Sequence, residues 1–427
     1  MPMNSRRMVL LAAAFASSIA AAFTVEPEPP DIAKRMFDIR KYGASEASKD
    51  NSAAIAQAFE AASAAGGGIV GIPAGVYLSG PIRLRSNTAL YLHRQAVLRL
   101  LPFGEYPQYR GNEFIGAEGT VTNVAVMGRG MIDGQGQPWW PYYKDGSVIR
   151  PAIVGLARPQ RLLLSGFTIT NSPSTNLSIV YAKDVTIRGL RIIAPPSEAG
   201  PDNPYPSHNT DACKAGGERL LIADCHFSTG DDNYTTTGYT KDVVITNCFF
   251  GEGHGLSIGS YIRGYVKNFY VTDCKFKHCG GIRIKTDRDR GGVVSNLLYS
   301  NIVMEDVGTP ISIYSTYNAD MPYRKPWRFP AATLAQMPRA PVTENTLVLD
   351  NIMFKNIVAT TADKDAPAGV IFALPESPIK DLKMKNVKIT AGRPFTLVNS
   401  IDHKIVNCEF KGFDGKELGV DFAPAAP

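Results

Sequence analysis

LLIADC (220–225), VVITNC (243–248) and FYVTDC (269–274) are three copies of one phrase: an apolar run, then Asp or Asn, then a residue suited to burial. The phrase returns as LLLSGF (162–167), VTIRGL (185–190), LLYSNI (297–302), LVLDNI (347–352), LKMKNV (382–387) and HKIVNC (403–408). Its turn position holds Gly166, Gly189, Asp224, Asn247, Asp273, Asn301, Asn351, Asn386 and Asn407, and the steps 166–189 and 224–247 are both 23 residues. A fixed period of this size with β-rich units means a solenoid. One unit cannot bury its apolar face alone, so successive units must stack. A leucine-rich repeat is excluded, because its Leu spacing and recurring helix are missing. The expected fold is all-β, a single-stranded right-handed parallel β-helix. Its layers lie about 4.8 Å apart, so equivalent residues form columns. Asn and Asp suit a column at a tight bend because they tolerate left-handed backbone geometry, and stacked amides can form ladders.

The same columns explain most cysteines. Cys225, Cys248, Cys274 and Cys408 take the place that Phe167, Leu190, Ile302, Ile352 and Val387 take in other units. There a free thiol behaves as a small hydrophobe, so these are expected to be buried thiols rather than disulfides. Cys213 and Cys279 fall outside the column and are left unassigned. No Cys or His pair has zinc spacing.

Upstream of the repeats, FDIRKYGA (37–44) reads as a strand and turn, and Ser52–Ala65 as a helix capped by Asp50 or Asn51 and stopped by Gly66-Gly67-Gly68. This short N-terminal helix is expected to cap the open end of the solenoid. Residues 23–35, rich in Pro and Glu, read as a linker, and residues 36–427 as one β-helix catalytic domain. Residues 1–22 read as a signal peptide: Arg6 and Arg7, an apolar run from Met8, then Ala20-Ala21-Ala22. Ser5-Arg6-Arg7 also fits a twin-arginine signal, so export by either the Sec or the twin-arginine route is expected. The destination is secreted or periplasmic. The apolar run is too short to span a bilayer comfortably, so no membrane insertion is expected after cleavage. The whole chain carries a formal charge of +6, which loss of the two arginines lowers. A mildly basic surface suits a polyanion.

Four polar motifs lie close together in the repeat frame: SHNTDACK (207–214), TGDDN (229–233), EGHGLS (252–257) and GIRIKTDRDRGG (281–292). Asp231 is seven residues past Asp224, and His254 seven past Asn247. The two should therefore meet on successive layers, within about 5 Å. Asp211 precedes Asp232 by almost one coil. Arg283 and Lys285, two apart in a strand, face one side. Three carboxylates in one patch cannot all ionise comfortably, so at least one pKa should rise and provide a general acid. A second carboxylate can activate water. That is the division of labour in glycoside hydrolysis, and a carboxylate spacing of about 6.5–9.5 Å would imply inversion. Guanidinium and ammonium groups beside them would meet an anionic sugar.

NTD at 209–211, GDD at 230–232, GHG at 253–255 and RIK at 283–285 resemble, in order and spacing, the motifs of glycoside hydrolase family 28, the polygalacturonases. FDIRKYGA (37–44), GGGIVGIPAGVYLSGPI (66–82) and GMIDGQGQPWW (130–140) also look like that family. The resemblance implies hydrolysis of α-glycosidic bonds in a galacturonic-acid-containing pectic polysaccharide, without cofactor or metal. It implies that Asp231 is the general acid, that Asp211 and Asp232 position and deprotonate water, and that His254 supports the acid. Arg283, Lys285 and Asn209 would bind substrate. So would the tyrosine that ends PISIYSTY (310–317), which maps onto Tyr317 with Tyr314 close by. Two departures stand out: Ala212 replaces the glycine of NTDG, and Asn233, Tyr234 and Thr235–Thr237 follow GDD. They leave the exact sugar open. Rhamnogalacturonan or xylogalacturonan hydrolysis on the same core, a Ca²⁺-dependent pectate lyase, and a non-catalytic carbohydrate-binding β-helix are the competing readings. A monomer is expected, with no nucleic-acid partner. Trp139 and Trp140 are expected to pack rather than bind sugar, and the DRDR run (287–290) to be a salt-bridged loop.

Overall fold

The computed structural model describes residues 25–200, 203–318 and 321–425; the signal expected at 1–22, with its twin-arginine motif, lies outside them. Each coil supplies three short strands, one to each of three sheets, and the ladders within every sheet are parallel. The coil is right-handed, the hand that strand twist imposes on parallel crossovers. Apolar columns fill the interior. Leu162 stacks on Val185, then Leu220, Val243, Phe269, Leu297, Ile352 and Leu382 follow in register. All of them are buried.

Residues at the repeated turn adopt the left-handed backbone region, from Gly166 (φ 83°) through Asp224 (57°) and Asn247 (51°) to Asn407 (51°). Their side chains form the expected ladder. Asn247 Nδ2 donates to Asp224 Oδ1 (2.7 Å) and Asn301 to Asp273 (3.0 Å). Asn386 then donates to Asn356 (2.8 Å) and Asn407 to Asn386 (2.8 Å). Each such bond contributes about 0.5–1.5 kcal/mol. One assignment needs correction. The unit after LLYSNI is FKNI, not LVLDNI: Asn356 donates to Asn301 (3.0 Å) and Ile357 stacks on Ile302.

Asn351 belongs instead to a second left-handed column, one sheet away. It runs through Asn123, Arg161, Asp184, Arg219, Asp242, Asn268, Asn296, Asn351 and Asp381, with φ between 48° and 58°. Amides pair along its later layers, as Asn296 does with Asn268. Lower down, Arg219 replaces the amide and grips Asp184 with two bonds of 2.7 Å. Residues 25–35 run along this column rather than free of it. Glu28 N–H donates to Asp184 (3.2 Å) and Asp31 N–H to Asn123 (3.2 Å).

The helix Ser52–Ala64 closes the N-terminal end, burying Ile55, Ala58, Phe59 and Ala62. Asp50 rather than Asn51 supplies the side-chain cap, accepting from Ser52 N–H (2.8 Å). All six cysteines are free. Cys213 and Cys279 are buried with Cys225, Cys248 and Cys274, whereas Cys408 is half-buried. Trp139 and Trp140 are buried. Arg288 pairs with Glu376 (2.8 Å) and Arg290 with Asp287 (3.5 Å), so the DRDR loop is held by ion pairs. No helix among the described residues is long and apolar enough to cross a membrane.

Candidate active site

One corner of the solenoid, where chain leaves the strand His226–Ser228 and enters Tyr234–Thr236, carries the polar motifs of successive layers. Buried side chains rivet these turns together. Thr210 Oγ1 accepts from Gly230 N–H (2.9 Å) and donates to Ser207 O (2.7 Å), which ties the Asp211 turn to the Asp231 turn. Asn233 donates to Glu252 O (2.8 Å) and accepts from Gly255 N–H (2.9 Å), which ties Asp232 to His254. A Cβ at Gly230 would stand 2.2 Å from Ser207 O, and one at Gly255 2.1 Å from Gly281 O. Only glycine lets the layers approach this closely.

The turns bring the motifs together. His254 Nδ1 lies 3.1 Å from Asp231 Oδ1. Asn209 Nδ2 donates to Asp231 Oδ2 (3.2 Å), and Asn209 Oδ1 accepts from Arg150 (3.2 Å). Asp232 is buried and held by cations: Lys285 Nζ reaches Oδ2 at 3.0 Å, and Arg283 donates to Oδ1. Ser257 Oγ donates to the same Oδ1 (2.9 Å) and accepts from Arg283 Nε (3.1 Å). The two cations expected to face substrate are therefore already engaged with a carboxylate of the protein. Tyr317 lies on the surface with Lys285 Nζ 5.2 Å from its ring centre, whereas Tyr314 is buried against Trp327.

Electrostatics separates the three carboxyl groups. Burial, followed by the charges of Asp231 and Asp232, pushes Asp211 up to about 8. Burial also pushes Asp231 upward, but its hydrogen bond to His254 and the charges of His254 and Lys285 hold it below the ordinary range. Asp232 is likewise lowered, because Lys285 and Arg283 outweigh its burial. The cluster thus keeps one proton near neutrality, and Asp211 carries it. The sequence foresees a raised carboxyl; it does not foresee which one.

Asp231, Asp232 and His254 also offer one ligand atom each within 4.8 Å of one another. This mixed set suits Ca²⁺ poorly, since that ion prefers six to eight oxygens, and Lys285 and Arg283 already neutralise Asp232. The arrangement fits proton transfer better than metal binding.

Arg150 lies outside every motif, and Thr210 and Ser257 lie inside motifs that assign them no role. Arg150 donates to His208 O (2.9 Å) and Pro173 O (3.1 Å) as well as to Asn209, and so braces the Asp211 turn from two layers below. His208 stacks on Tyr143 with ring centres 4.0 Å apart. The departures after GDD turn out to be structural. Asn233, Tyr234 and Thr235 are buried, and Tyr234 OH donates to Ala215 O (2.8 Å). Ala212 is also buried and donates to Asp232 O (2.9 Å).

Residues 70–408 match the model of glycosyl hydrolases family 28. The chain is 30% identical over 362 residues to an endo-polygalacturonase of Pectobacterium carotovorum subsp. carotovorum, covering 76% of this chain and 80% of that one. It is 29% identical over 406 residues to an exopolygalacturonase of Zea mays, covering 90% and 86%. The solved endo-xylogalacturonan hydrolase of Aspergillus tubingensis superposes with a TM-score of 0.69 at 20% identity, covering 88% and 100%; this likeness is one of fold.

Proposed function

Because this chain belongs to glycosyl hydrolases family 28, and so is a glycoside hydrolase of the pectin-degrading kind, we propose that it cleaves α-linked galacturonan by inversion, outside the cytoplasm. One observation carries the reading: three carboxyl groups, an imidazole and two cations converge at one corner of consecutive layers.

In this mechanism the shared proton moves from Asp211 to Asp231 as the glycosidic oxygen arrives, and Asp231 donates it to the leaving oxygen. His254, bonded to Asp231, orients that carboxyl and supplies charge compensation. Asn209 holds its other oxygen. Asp211 and Asp232, then both ionised, orient and deprotonate the water. Asp231 and Asp232 offer atoms within 4.8 Å, closer than the roughly 6.5–9.5 Å that admits a water between acid and base. The pair is thus closer than the spacing expected for inversion, and inversion in this mechanism requires the water to lie beside it, toward Asp211. An incoming uronate carboxylate competes with Asp232 for Arg283 and Lys285, and that exchange frees Asp232 to accept a proton. Tyr317, against Lys285, would flank the sugar.

The test is incubation with polygalacturonate and with rhamnogalacturonan separately, following the first product anomers by NMR. Release of β-configured product from polygalacturonate is expected. Early α product would overturn inversion, and cleavage of rhamnogalacturonan alone would overturn the substrate.

A further inference from the structure

The layers that precede the catalytic turns leave a cavity of about 550 Å³ on the same corner of the solenoid, a size typical of small-molecule and sugar sites. Its position follows from register. Arg99 stacks on Asp133, Asp133 on Thr170, Thr170 on Ile193 and Ile193 on Ser228, three residues before Asp231. The cavity wall is built from the turns that follow these strands, from Phe103 on the lowest layer to Pro195 on the uppermost. At about 4.8 Å per layer it lies roughly 5 to 20 Å below the layer of Asp231, and its uppermost turn is the one that carries Asp211. The wall is tied to the site, for Ser207, next to the Asp211 turn, donates to Pro195 O.

The chemistry of this wall differs from that of the catalytic centre. Phe103 and Tyr205 are 38% and 53% accessible, Phe103 with one ring face stacked on Tyr142, and they lie beside the amides of Gln137 and Asn171; the Gln135 amide donates to Leu100 O. Among the described residues that line it there is no Lys or Arg. Asp133, its one described carboxylate, is already paired with Arg99 at 3.0 Å. Rings stack on the apolar face of a pyranose, and amides bond its hydroxyls. A free uronate carboxylate entering here would lose water and meet no cation among the described lining residues, Arg99 behind them being engaged with Asp133. On the other side of the cleft, Arg283 and Lys285 offer two. The residues beside the aspartates that break the family pattern are buried, so they do not choose the sugar; this wall is placed to do so.

We propose that the cleft accepts, on its N-terminal side, a sugar unit of the pectic chain that bears no free carboxylate. The unit is either a galacturonate with its carboxyl esterified or the neutral sugar that branches from a galacturonate. This rests on the galacturonan reading of the catalytic centre.

The experiment compares kcat/KM on three chains of matched length: unmodified polygalacturonate, methyl-esterified polygalacturonate and xylose-substituted galacturonan. Enzymes are the wild type, Tyr205→Ala and Gln137→Arg, two changes at exposed positions. The wild type should cut at least one modified chain as well as the unmodified one. Tyr205→Ala should lose about tenfold more on that chain than on the unmodified chain, as expected for one stacking and hydroxyl contact. Gln137→Arg, which supplies the missing cation, should shift preference toward the unmodified chain. Which modified chain responds identifies the group held. Equal losses on all three chains, or a wild type that cuts only the unmodified chain, would overturn the inference while leaving the galacturonan reading in place. A wild type that cuts none of the three would overturn that reading instead.

Discussion

Replacing Lys285 with methionine should lower thermal stability measurably and do so in a pH-dependent way. Lys285 and Asp232 are each 6% exposed at the side chain, with Nζ and Oδ2 3.0 Å apart. At an effective dielectric constant near 20, a pair at that separation interacts by about 5 kcal/mol. Breaking a buried pair by removing one partner costs about 3–5 kcal/mol. Arg283 still holds Asp232 in the variant, so the lower figure, about 3 kcal/mol, is expected. With an unfolding entropy of about 2.1 cal/mol/K per residue over roughly 400 residues, the midpoint should fall by about 4 °C. The pKa of Asp232 is depressed in the folded protein, net of its burial, by Lys285 and Arg283. Its stabilising contribution is therefore complete above the range where unfolded aspartate titrates, and fades as pH falls through the lowered folded value. Calorimetry at pH 7 should show the full gap between variant and wild type, and calorimetry in strong acid should show it closing. In the double variant with Asp232→Asn, the loss should be smaller than the two single losses added together. A Lys285→Met midpoint within about 1 °C of wild type at pH 7 would mean that Asp232 does not depend on this cation, and the reasoning would fail.

Other expectations follow from the same geometry. Asp231→Asn should keep the wild-type circular dichroism and melting profile while losing about 10³-fold or more in kcat; hydrolysis at the wild-type rate would remove Asp231 from its role and favour a binding protein. Asp211 sits near 8 in the folded protein and near 3.9 unfolded, so as pH rises between these values the unfolded chain ionises first and stability is lost. Asp211→Asn should therefore melt above wild type at pH 8 and match it at pH 3, and a variant less stable at pH 8 would refute the burial of that proton. For the same reason kcat/KM of the wild type should decline as pH rises through about 8, where the cluster gives up its shared proton; a flat profile from pH 6 to 9 would count against proton sharing.

Much of this was legible in the chain because the repeat phrase fixes both period and turn. Asn247, Asp273 and Asn301 tolerate a positive φ, so their spacing reports the number of residues per coil directly. The second bend is harder to see. Its positions include Arg161 and Arg219, residues that carry no turn signal, and the ladder there changes from amides to an ion pair. That hidden column also explains the misplaced unit, since Asn351 and Asn356 sit at the two bends of one continuous strand, Val348–Thr361. At the site, the motif residues are close in the repeat frame and could be found by counting. Arg150 could not, because it lies 59 residues from the Asn209 it braces. Nor could the state of Arg283 and Lys285, whose engagement with Asp232 depends on side-chain direction rather than on spacing.

The strap formed by residues 25–35 bears on how the molecule comes apart. Layers of a solenoid ordinarily feel only their immediate neighbours, so the ends can fray one rung at a time. Glu28 is fastened at the rung of Asp184 and Asp31 at that of Asn123, with the rung of Arg161 between them. This stitch spans non-adjacent rungs and makes the N-terminal end yield as a block. A chain cut just after residue 32 would lose the stitch and leave those rungs to unravel singly.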